Sequence, residues 1–169
     1  SGTYWIDIAT GINTSFAIKN DGTVWGAGDA SDGQFGGGTT SSPMQVGSLT
    51  NWEEISAGAY FSVALKTNKE LWTWGYNTYG QLGDGGIINK GSPVQIGVLT
   101  NWLKISAGAS HAHAIKSDGT LWAWGYTSAG QLGDGTAVNK SSPVQIGALT
   151  DWNKIAAGGS HSLAIKSDG

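Results

Sequence analysis

Two histidines are the residues with the clearest potential for chemistry. His111 and His113 are two positions apart on a strand candidate, so both side chains point to the same side, as a pair of metal ligands would. In similar passages 50 residues away, however, Val63 and Leu163 align with His113, which indicates a core position. His111 aligns with His161. We therefore interpret both histidines as structural, and we expect no metal site.

Two aspartates in glycine-rich loops raise the question of calcium or phosphate binding. Asp84 and Asp134 each lie in the sequence Gly-Gln-Leu-Gly-Asp-Gly. A calcium loop needs alternating oxygen ligands, and each of these loops has one carboxylate nearby. A phosphate loop needs a following helix and a suitably placed Lys, which the pattern does not offer. We predict that both aspartates accept hydrogen bonds from backbone N–H groups in turns.

Catalysis has no visible machinery in this sequence. No Ser, His and Asp set and no pair of carboxylates in a common pocket can be assembled from the motifs. We therefore predict a protein that is not an enzyme and has no cofactor.

Candidate binding residues are those that differ between units whose surrounding sequence stays constant. Aromatic side chains on loops at one face are suitable anchors for a partner protein. Local packing variation is the alternative explanation. The candidates are Tyr60, Phe61, Asn77, Tyr79, Ile87, Ile88 and His111.

All of these residues belong to a tandem repeat. Trp52, Trp102 and Trp152 are 50 residues apart and open near-copies of one passage, and a looser copy begins at Trp5. A period of this length is typical of propellers and solenoids, in which each unit buries its apolar surface against its neighbours. The predicted single domain, 1–169, comprises units 5–51, 52–101 and 102–151 and a partial unit 152–169.

Each unit contains four short strand candidates and nothing with a helical period. In the third unit, Asp118-Gly119 is a hairpin signal, and Gly130, Gly133 and Gly135 mark sharp turns in the longest connection. Trp122 and Trp124 should pack between units. The pattern predicts an all-β fold, a β-propeller of tandem four-stranded antiparallel blades, with a β-solenoid as the competing architecture. The third-unit candidates are 102–107, 111–116, 120–126 and 143–146.

Three motifs resemble the regulator of chromosome condensation repeat. They are Trp-x-x-Ile-x-Ala-Gly-x-x-His at 102–111, Ala-Ile-Lys-Ser-Asp-Gly-Thr-Leu-Trp-Ala-Trp-Gly at 114–125, and Gly-Gln-Leu-Gly-Asp-Gly at 130–135. The resemblance covers 5–169 and implies a propeller of usually seven four-stranded blades. Three to three and a half blades do not close such a ring, so we expect either a fragment of a larger propeller or a chain that self-associates. The first copy departs from the pattern, with Ala27 in place of the second Trp and Gly33-Gln34-Phe35-Gly36-Gly37-Gly38 as its glycine-rich segment.

Composition narrows the function further. Twelve acidic residues outnumber nine basic ones, all Lys, and the net charge is −3, which disfavours nucleic acid as a partner. No apolar run is long enough for a membrane span, no signal peptide is visible, and no Cys is present. The Gly-rich, Ser-rich and Arg-free composition leans towards an extracellular or virion-surface protein.

The predicted function is a non-enzymatic protein-interaction or structural module, such as an adhesin, a virion-surface element or an inhibitor. Its partner would be another protein or further copies of itself. The resemblance supports this prediction, because many microbial members look like interaction scaffolds and one relative inhibits β-lactamases through face-loop aromatics. Two alternatives stay open, one from the resemblance and one from the aromatic residues. Nucleotide exchange on a small GTPase is the founding member's activity, but the inserted hairpin and basic tail of that member are absent here. Glycan binding through exposed aromatics is the other.

Overall fold

The computed structural model describes residues 2–35 and 38–169, and within these ranges every regular element is a strand. The strands form three four-stranded antiparallel sheets and one two-stranded sheet, in sequence order within each sheet. This arrangement confirms the prediction of tandem four-stranded blades in a partial propeller. Blade 1 is β1–β4, blade 2 is β5–β8, blade 3 is β9–β12, and β13–β14 form the two-stranded sheet. The strands are β1 (Trp5–Thr10), β2 (Thr14–Lys19), β3 (Val24–Gly28), β4 (Thr40–Gln45), β5 (Trp52–Ala57), β6 (Phe61–Lys66), β7 (Leu71–Gly75), β8 (Lys90–Gln95), β9 (Trp102–Ala107), β10 (His111–Lys116), β11 (Leu121–Gly125), β12 (Lys140–Gln145), β13 (Trp152–Ala157) and β14 (Ser162–Lys166).

The strand bounds in blade 3 agree with the sequence prediction for β9 and β10 and differ for the other two strands. Strand β11 begins one residue later than predicted, because Thr120 belongs to the preceding turn and bonds to the Asp118 carboxylate through both its N–H and its hydroxyl. Strand β12 begins at Lys140, three residues before Pro143, since Lys140 still pairs with Gly125 across a register shift. Pro143 lies on the outer edge strand, where a missing N–H is tolerated.

Tryptophans fill the spaces between blades, as predicted. Trp124 is 0% exposed and belongs to the cluster between blades 2 and 3, where both it and Trp122 pack against Trp102. Trp74 has the same place between blades 1 and 2 and packs against Trp52 and Phe16. Each fully buried indole removes about 200 Å² from water, so these side chains dominate the packing energy of the blade interfaces.

Lysines also pack against tryptophan faces within each complete blade. In blade 2 the Lys66 ammonium lies 4.5 Å from the Trp72 ring centre, and in blade 3 Lys116 lies 3.5 Å from that of Trp122. Both distances are within the range of cation–π attraction. Burial lowers the pKa of Lys116. The ammonium of each lysine thus lies over an indole ring while the alkyl stem covers apolar surface.

The inner strands are linked from blade to blade by side chains that accept backbone hydrogen bonds. The Ile55 N–H donates to the Asp7 carboxylate at 2.9 Å, and the Ala107 N–H donates to the Ser56 hydroxyl at 2.9 Å. These bonds satisfy backbone groups that face the neighbouring blade. Among the described residues there is no helix of the length and hydrophobicity that a membrane crossing would need.

The first unit departs from the repeat where the sequence indicated. Phe35 is buried in the cluster between blades 1 and 2, at the position that Leu82 occupies in the second unit. Gly36 and Gly37, the centre of the altered glycine-rich segment, lie outside the described residues.

Candidate functional site

One face of the blades carries the long connections in which the units differ. The connection from β7 to β8 spans 76–89, and the connection from β11 to β12 spans 126–139; we call them the second-unit loop and the third-unit loop. Both emerge beside the short turn that follows the first strand of the same blade. The Tyr76 N–H donates to the Tyr60 carbonyl at 2.9 Å, and the Tyr126 N–H donates to the Ser110 carbonyl at 2.9 Å. The two kinds of connection therefore form one continuous surface.

Four tyrosines stand in a row across this surface. The ring centres of Tyr60 and Tyr76 are 6.4 Å apart, those of Tyr76 and Tyr79 are 6.4 Å apart, and those of Tyr79 and Tyr126 are 4.8 Å apart. Tyr60 and Tyr79 are 37% and 39% exposed, and the other two are half-buried. This tyrosine row begins in blade 2 and ends in blade 3, and it contains four of the five tyrosines in the chain.

The row crosses from one blade to the next because the second-unit loop lies over blade 3. The Gly85 N–H donates to the Ser141 carbonyl of β12 at 2.7 Å. Gly83 passes so close to the Trp124 indole that a Cβ there would lie 2.9 Å from it, and its φ of +73° is one that glycine adopts without strain. The Trp124 indole N–H donates to the Gln81 carbonyl at 2.9 Å. A buried side chain of blade 3 therefore positions a loop of blade 2.

Gln81 transmits this anchoring to the tyrosine row. Its side-chain carbonyl accepts a hydrogen bond from the Tyr79 N–H at 2.9 Å, while its backbone carbonyl is held by Trp124. Gln81 is buried. Tyr79 is therefore an exposed side chain on a backbone that two hydrogen bonds hold in place.

Asn77 organises the interior of the second-unit loop. Its backbone N–H, side-chain amide and side-chain carbonyl all have partners at distances of 2.9 to 3.3 Å, and the residue is fully buried. These partners are the Asn89 and Asp84 side chains, the Gly86 and Ile88 carbonyls and the Leu82 N–H. Asn77 thus supports the shape of the loop from inside and does not face a partner.

The aspartates of the glycine-rich segments lie in turns and bond to backbone N–H groups, as predicted. Asp84 accepts from the Gly86 N–H at 3.0 Å and pairs with the Lys90 ammonium at 3.4 Å. Partial burial opposes ionisation of this carboxyl, but its hydrogen bonds outweigh that effect and hold its pKa below the ordinary value. Asp134 pairs with Lys140 at 3.2 Å in the third-unit loop. The carboxylate of each loop is therefore paired with the first residue of the strand that follows the loop.

The predicted binding residues separate into exposed and buried groups. Tyr60 and Tyr79 belong to the tyrosine row, and Ile87 and Ile88 are exposed on the second-unit loop. The structure corrects the other three assignments, since a partner at the surface cannot touch a side chain that is fully enclosed. These buried residues are Phe61, Asn77 and His111.

The two histidines of β10 are buried, and the rings of both reach a hydroxyl of the next sheet. His111 Nε2 lies 2.9 Å from the Ser162 hydroxyl, and His113 Nδ1 lies 3.4 Å from the same oxygen. Burial lowers the pKa of each histidine to about 4, and the neighbouring histidines contribute for His111. Both are therefore neutral at physiological pH. Within 2–35 and 38–169, no three His, Asp or Glu side chains are grouped as metal ligands would be.

The sequence prediction included only two of the four tyrosines in the row, because it selected positions at which the second and third units differ. Tyr76 and Tyr126 occupy the same position in their units, directly after Trp-Gly, so they do not stand out as variable. The first unit could have identified them, because it has Asp29 where the other two units have a tyrosine. An aromatic residue is a candidate for a surface role when two units share it and another unit has a charged residue at the same position.

Solved structures of propellers share this fold. Human WBSCR16 superposes with a TM-score of 0.87 at 21% identity, covering 99% of this chain and 46% of that chain. Yeast RCC1 (Prp20), solved bound to Kap60, gives 0.86 at 22% identity over 100% of this chain and 43% of that one. Prp20p from Saccharomyces cerevisiae, in a structure reported with its binding properties to Gsp1p and histones, gives 0.86 at 23% identity, with 100% and 44% covered. The chain spans less than half the length of these proteins.

Sequence comparison identifies the repeats themselves. No curated protein sequence matches the chain. Two sequence models of the regulator of chromosome condensation (RCC1) repeat do match: one covers 21–65, 69–115 and 118–165, and the other covers 5–34, 52–81 and 102–131. These matches extend over most of the sequence, and the chain belongs to the regulator of chromosome condensation repeat family.

Proposed function

We propose that the chain is a non-enzymatic protein-interaction module and that the tyrosine row is its binding face. The observation that carries this proposal is the row itself, four partly exposed rings in contact with one another across two blades. Tyrosine is enriched at protein interfaces, because its side chain combines a large contact area and a hydroxyl with only a few rotatable bonds to immobilise.

The hydroxyl groups of the row support this role. Within the described residues, none of these four phenols forms a hydrogen bond with another protein group. Their donors and acceptors are available to a partner. A row that served only internal packing would bury these rings more fully or satisfy their hydroxyls.

The solved relatives favour a protein as the partner. Yeast Prp20 was solved with Kap60 bound, and its binding to Gsp1p and histones is described with the other structure. Nucleotide exchange remains a distinct hypothesis for this chain. It would require stimulated nucleotide release from a small GTPase, and the tyrosine row offers no argument for it.

A capture experiment with the full chain tests the binding face. The immobilised protein is compared with Tyr60→Ser and Tyr79→Ala, which install the residues that the third unit has at these positions, Ser110 and Ala129. Val98→Ala is the matched control, since Val98 is 88% exposed in the connection at the opposite face. We expect the two tyrosine variants to lose a bound protein that the wild type and the control both retain. Equal recovery by all four proteins would remove the row from the binding site.

A further inference from the structure

We infer that the tyrosine row recognises a proline-rich segment in the polyproline II conformation. This inference rests on the proposed function and adds the chemistry of the partner. It follows from the inclination of the rings, the state of their hydroxyls and the charge of the surrounding loops.

The rings are inclined to one another, so that shallow grooves separate them. The interplanar angles are 69° between Tyr60 and Tyr76, 72° between Tyr76 and Tyr79, and 49° between Tyr79 and Tyr126. A groove between two inclined aromatic rings accommodates a pyrrolidine ring, and aromatic-lined grooves are the general means of docking proline-rich peptides. A pyranose instead stacks along an open aromatic face, and neighbouring rings inclined by 49° to 72° offer it no common flat surface.

The spacing of the row suits the repeat of a polyproline II helix. That helix has three residues per turn and rises about 9 Å per turn. The steps between neighbouring ring centres, 6.4 Å, 6.4 Å and 4.8 Å, are each shorter than this turn. Two turns of this helix, about 18 Å, are therefore long enough to run along the whole row.

The hydrogen-bonding groups are complementary as well. A polyproline II segment has no internal hydrogen bonds, so its carbonyl groups are free to accept. The four phenols of the row can donate to them, because these hydroxyls have no bond to a protein group within 2–35 and 38–169. The partner needs no N–H donors, which suits proline.

The charges near the row disfavour a strongly charged ligand. Asp84 pairs with Lys90 at 3.4 Å, and Asp134 pairs with Lys140 at 3.2 Å, and in each case the lysine begins the strand that follows the loop. The only carboxylate of each loop is therefore paired, so these two loops offer no unpaired charge to attract a basic or acidic peptide or a phosphorylated one. An uncharged, stiff and apolar segment gains most here, because its conformation is already ordered before binding.

Fluorescence anisotropy with the full chain tests the inference. The probes are a labelled polyproline peptide of about ten residues, a Gly-Ser peptide of the same length and labelled cellohexaose. We expect the polyproline peptide to bind at least about tenfold more tightly than the Gly-Ser peptide. Tyr79→Ala should weaken that binding by about tenfold, Tyr79→Phe by about threefold through loss of one hydroxyl, and Val98→Ala not at all.

Each other outcome overturns the inference in an identifiable way. Equal binding of the two peptides, or polyproline binding that Tyr79→Ala leaves unchanged, shows that the row does not recognise polyproline. Binding of cellohexaose alone assigns the row to glycans. If the capture experiment yields a protein that depends on Tyr79 and that excess polyproline does not displace, the proposed function stands and the inference about its ligand is wrong. Circular dichroism of Tyr79→Ala confirms that the variant is folded.

Discussion

The second-unit loop and the third-unit loop share a frame but have different surfaces. In each loop a buried Gln accepts a hydrogen bond from the N–H two residues before it, at 2.9 Å from Tyr79 to Gln81 and at 2.9 Å from Ala129 to Gln131. An aspartate paired with a lysine closes each loop. Each loop begins with a half-buried tyrosine, Tyr76 or Tyr126, but only the second-unit loop adds a more exposed ring, that of Tyr79. The backbone is thus specified by one set of residues and the surface by another.

The interiors of the two loops differ in how completely they are bonded. Asn77 has partners for its N–H, its side-chain amide and its side-chain carbonyl. Thr127, at the equivalent position, bonds through its N–H to Asn139 and accepts from the Leu132 N–H at 3.3 Å. At this position, therefore, the loop that carries Tyr79 has the more completely bonded side chain. The extra bonds of Asn77 restrict the backbone beside the exposed ring.

The largest effect is expected from removing the indole that joins the second-unit loop to blade 3. Trp124→Ala should lower the free energy of unfolding by about 3–5 kcal/mol, because a fully buried side chain leaves a cavity. Trp124→Phe keeps much of the apolar contact and leaves the Gln81 carbonyl without its donor, which should cost about 1–3 kcal/mol. Urea unfolding followed by circular dichroism measures both losses. A phenylalanine variant as stable as the wild type would show that the bond to Gln81 does not anchor the loop.

Asn77→Ala should have the next largest effect. Removal of this side chain leaves buried groups such as the Leu82 N–H without partners, so we expect a loss of about 2–3 kcal/mol in urea unfolding. Thr127→Ala is the matched variant in the third-unit loop, and its loss should be about 1 kcal/mol, since its side chain accepts one long hydrogen bond. Equal losses in the two variants would contradict the difference in bonding between the loops.

Much of the fold could be predicted because each blade repeats local signals. The Trp pattern, the Asp-Gly turn and the glycines of the loops specify strands and turns within one unit, and the structure has them there. The contact between Tyr79 and Tyr126 could not be predicted in the same way. It joins residues of different units, and it depends on Gly83, Gly85 and the Trp124 indole, which together hold one loop over the next blade.

Variation between units was an incomplete guide to the candidate site. It selected Asn77 and Phe61, which differ from their counterparts because buried positions can be filled in more than one way. Asn77 and Thr127 are both fully buried and both bond to the loop. Sequence differences alone do not separate a change of packing from a change of surface, since burial depends on contacts between blades.

The second strand of blade 3 should make the stability of the protein depend on pH, whereas the second strand of blade 2 should not, because only blade 3 has histidines there. His111 and His113 have pKa values of about 4 in the folded protein because they are buried, against an ordinary value of 6.5 in the unfolded chain. Between these values the unfolded chain binds protons that the folded protein does not. This part of the stability is therefore complete above pH 6.5 and is lost as the pH falls towards 4. Blade 2 has Phe61 and Val63 at the same positions.

The double variant His111→Phe, His113→Val tests this effect by giving blade 3 the residues of blade 2. Urea midpoints measured from pH 7 to pH 4 should fall less for the variant than for the wild type. Burial also raises the pKa of Glu54 to about 7, which makes stability fall as the pH rises through the range from 4.5 to 7. Glu54 is present in both proteins, so its contribution cancels in the difference. Parallel pH profiles would show that the two histidines are not the source of acid sensitivity.

The smallest effect on stability is expected from the exposed tip of the second-unit loop. The double variant Ile87→Ala, Ile88→Val installs the residues of the third-unit loop, Ala137 and Val138. The two isoleucines are 63% and 72% exposed, so the free energy of unfolding should change by no more than about 0.5 kcal/mol. A larger loss would mean that the tip supports the fold of the loop. With stability unchanged, a weaker capture of the partner by this variant has one physical cause, the loss of apolar contact area at the surface, and it would extend the binding face from the tyrosine row to the tip of the loop.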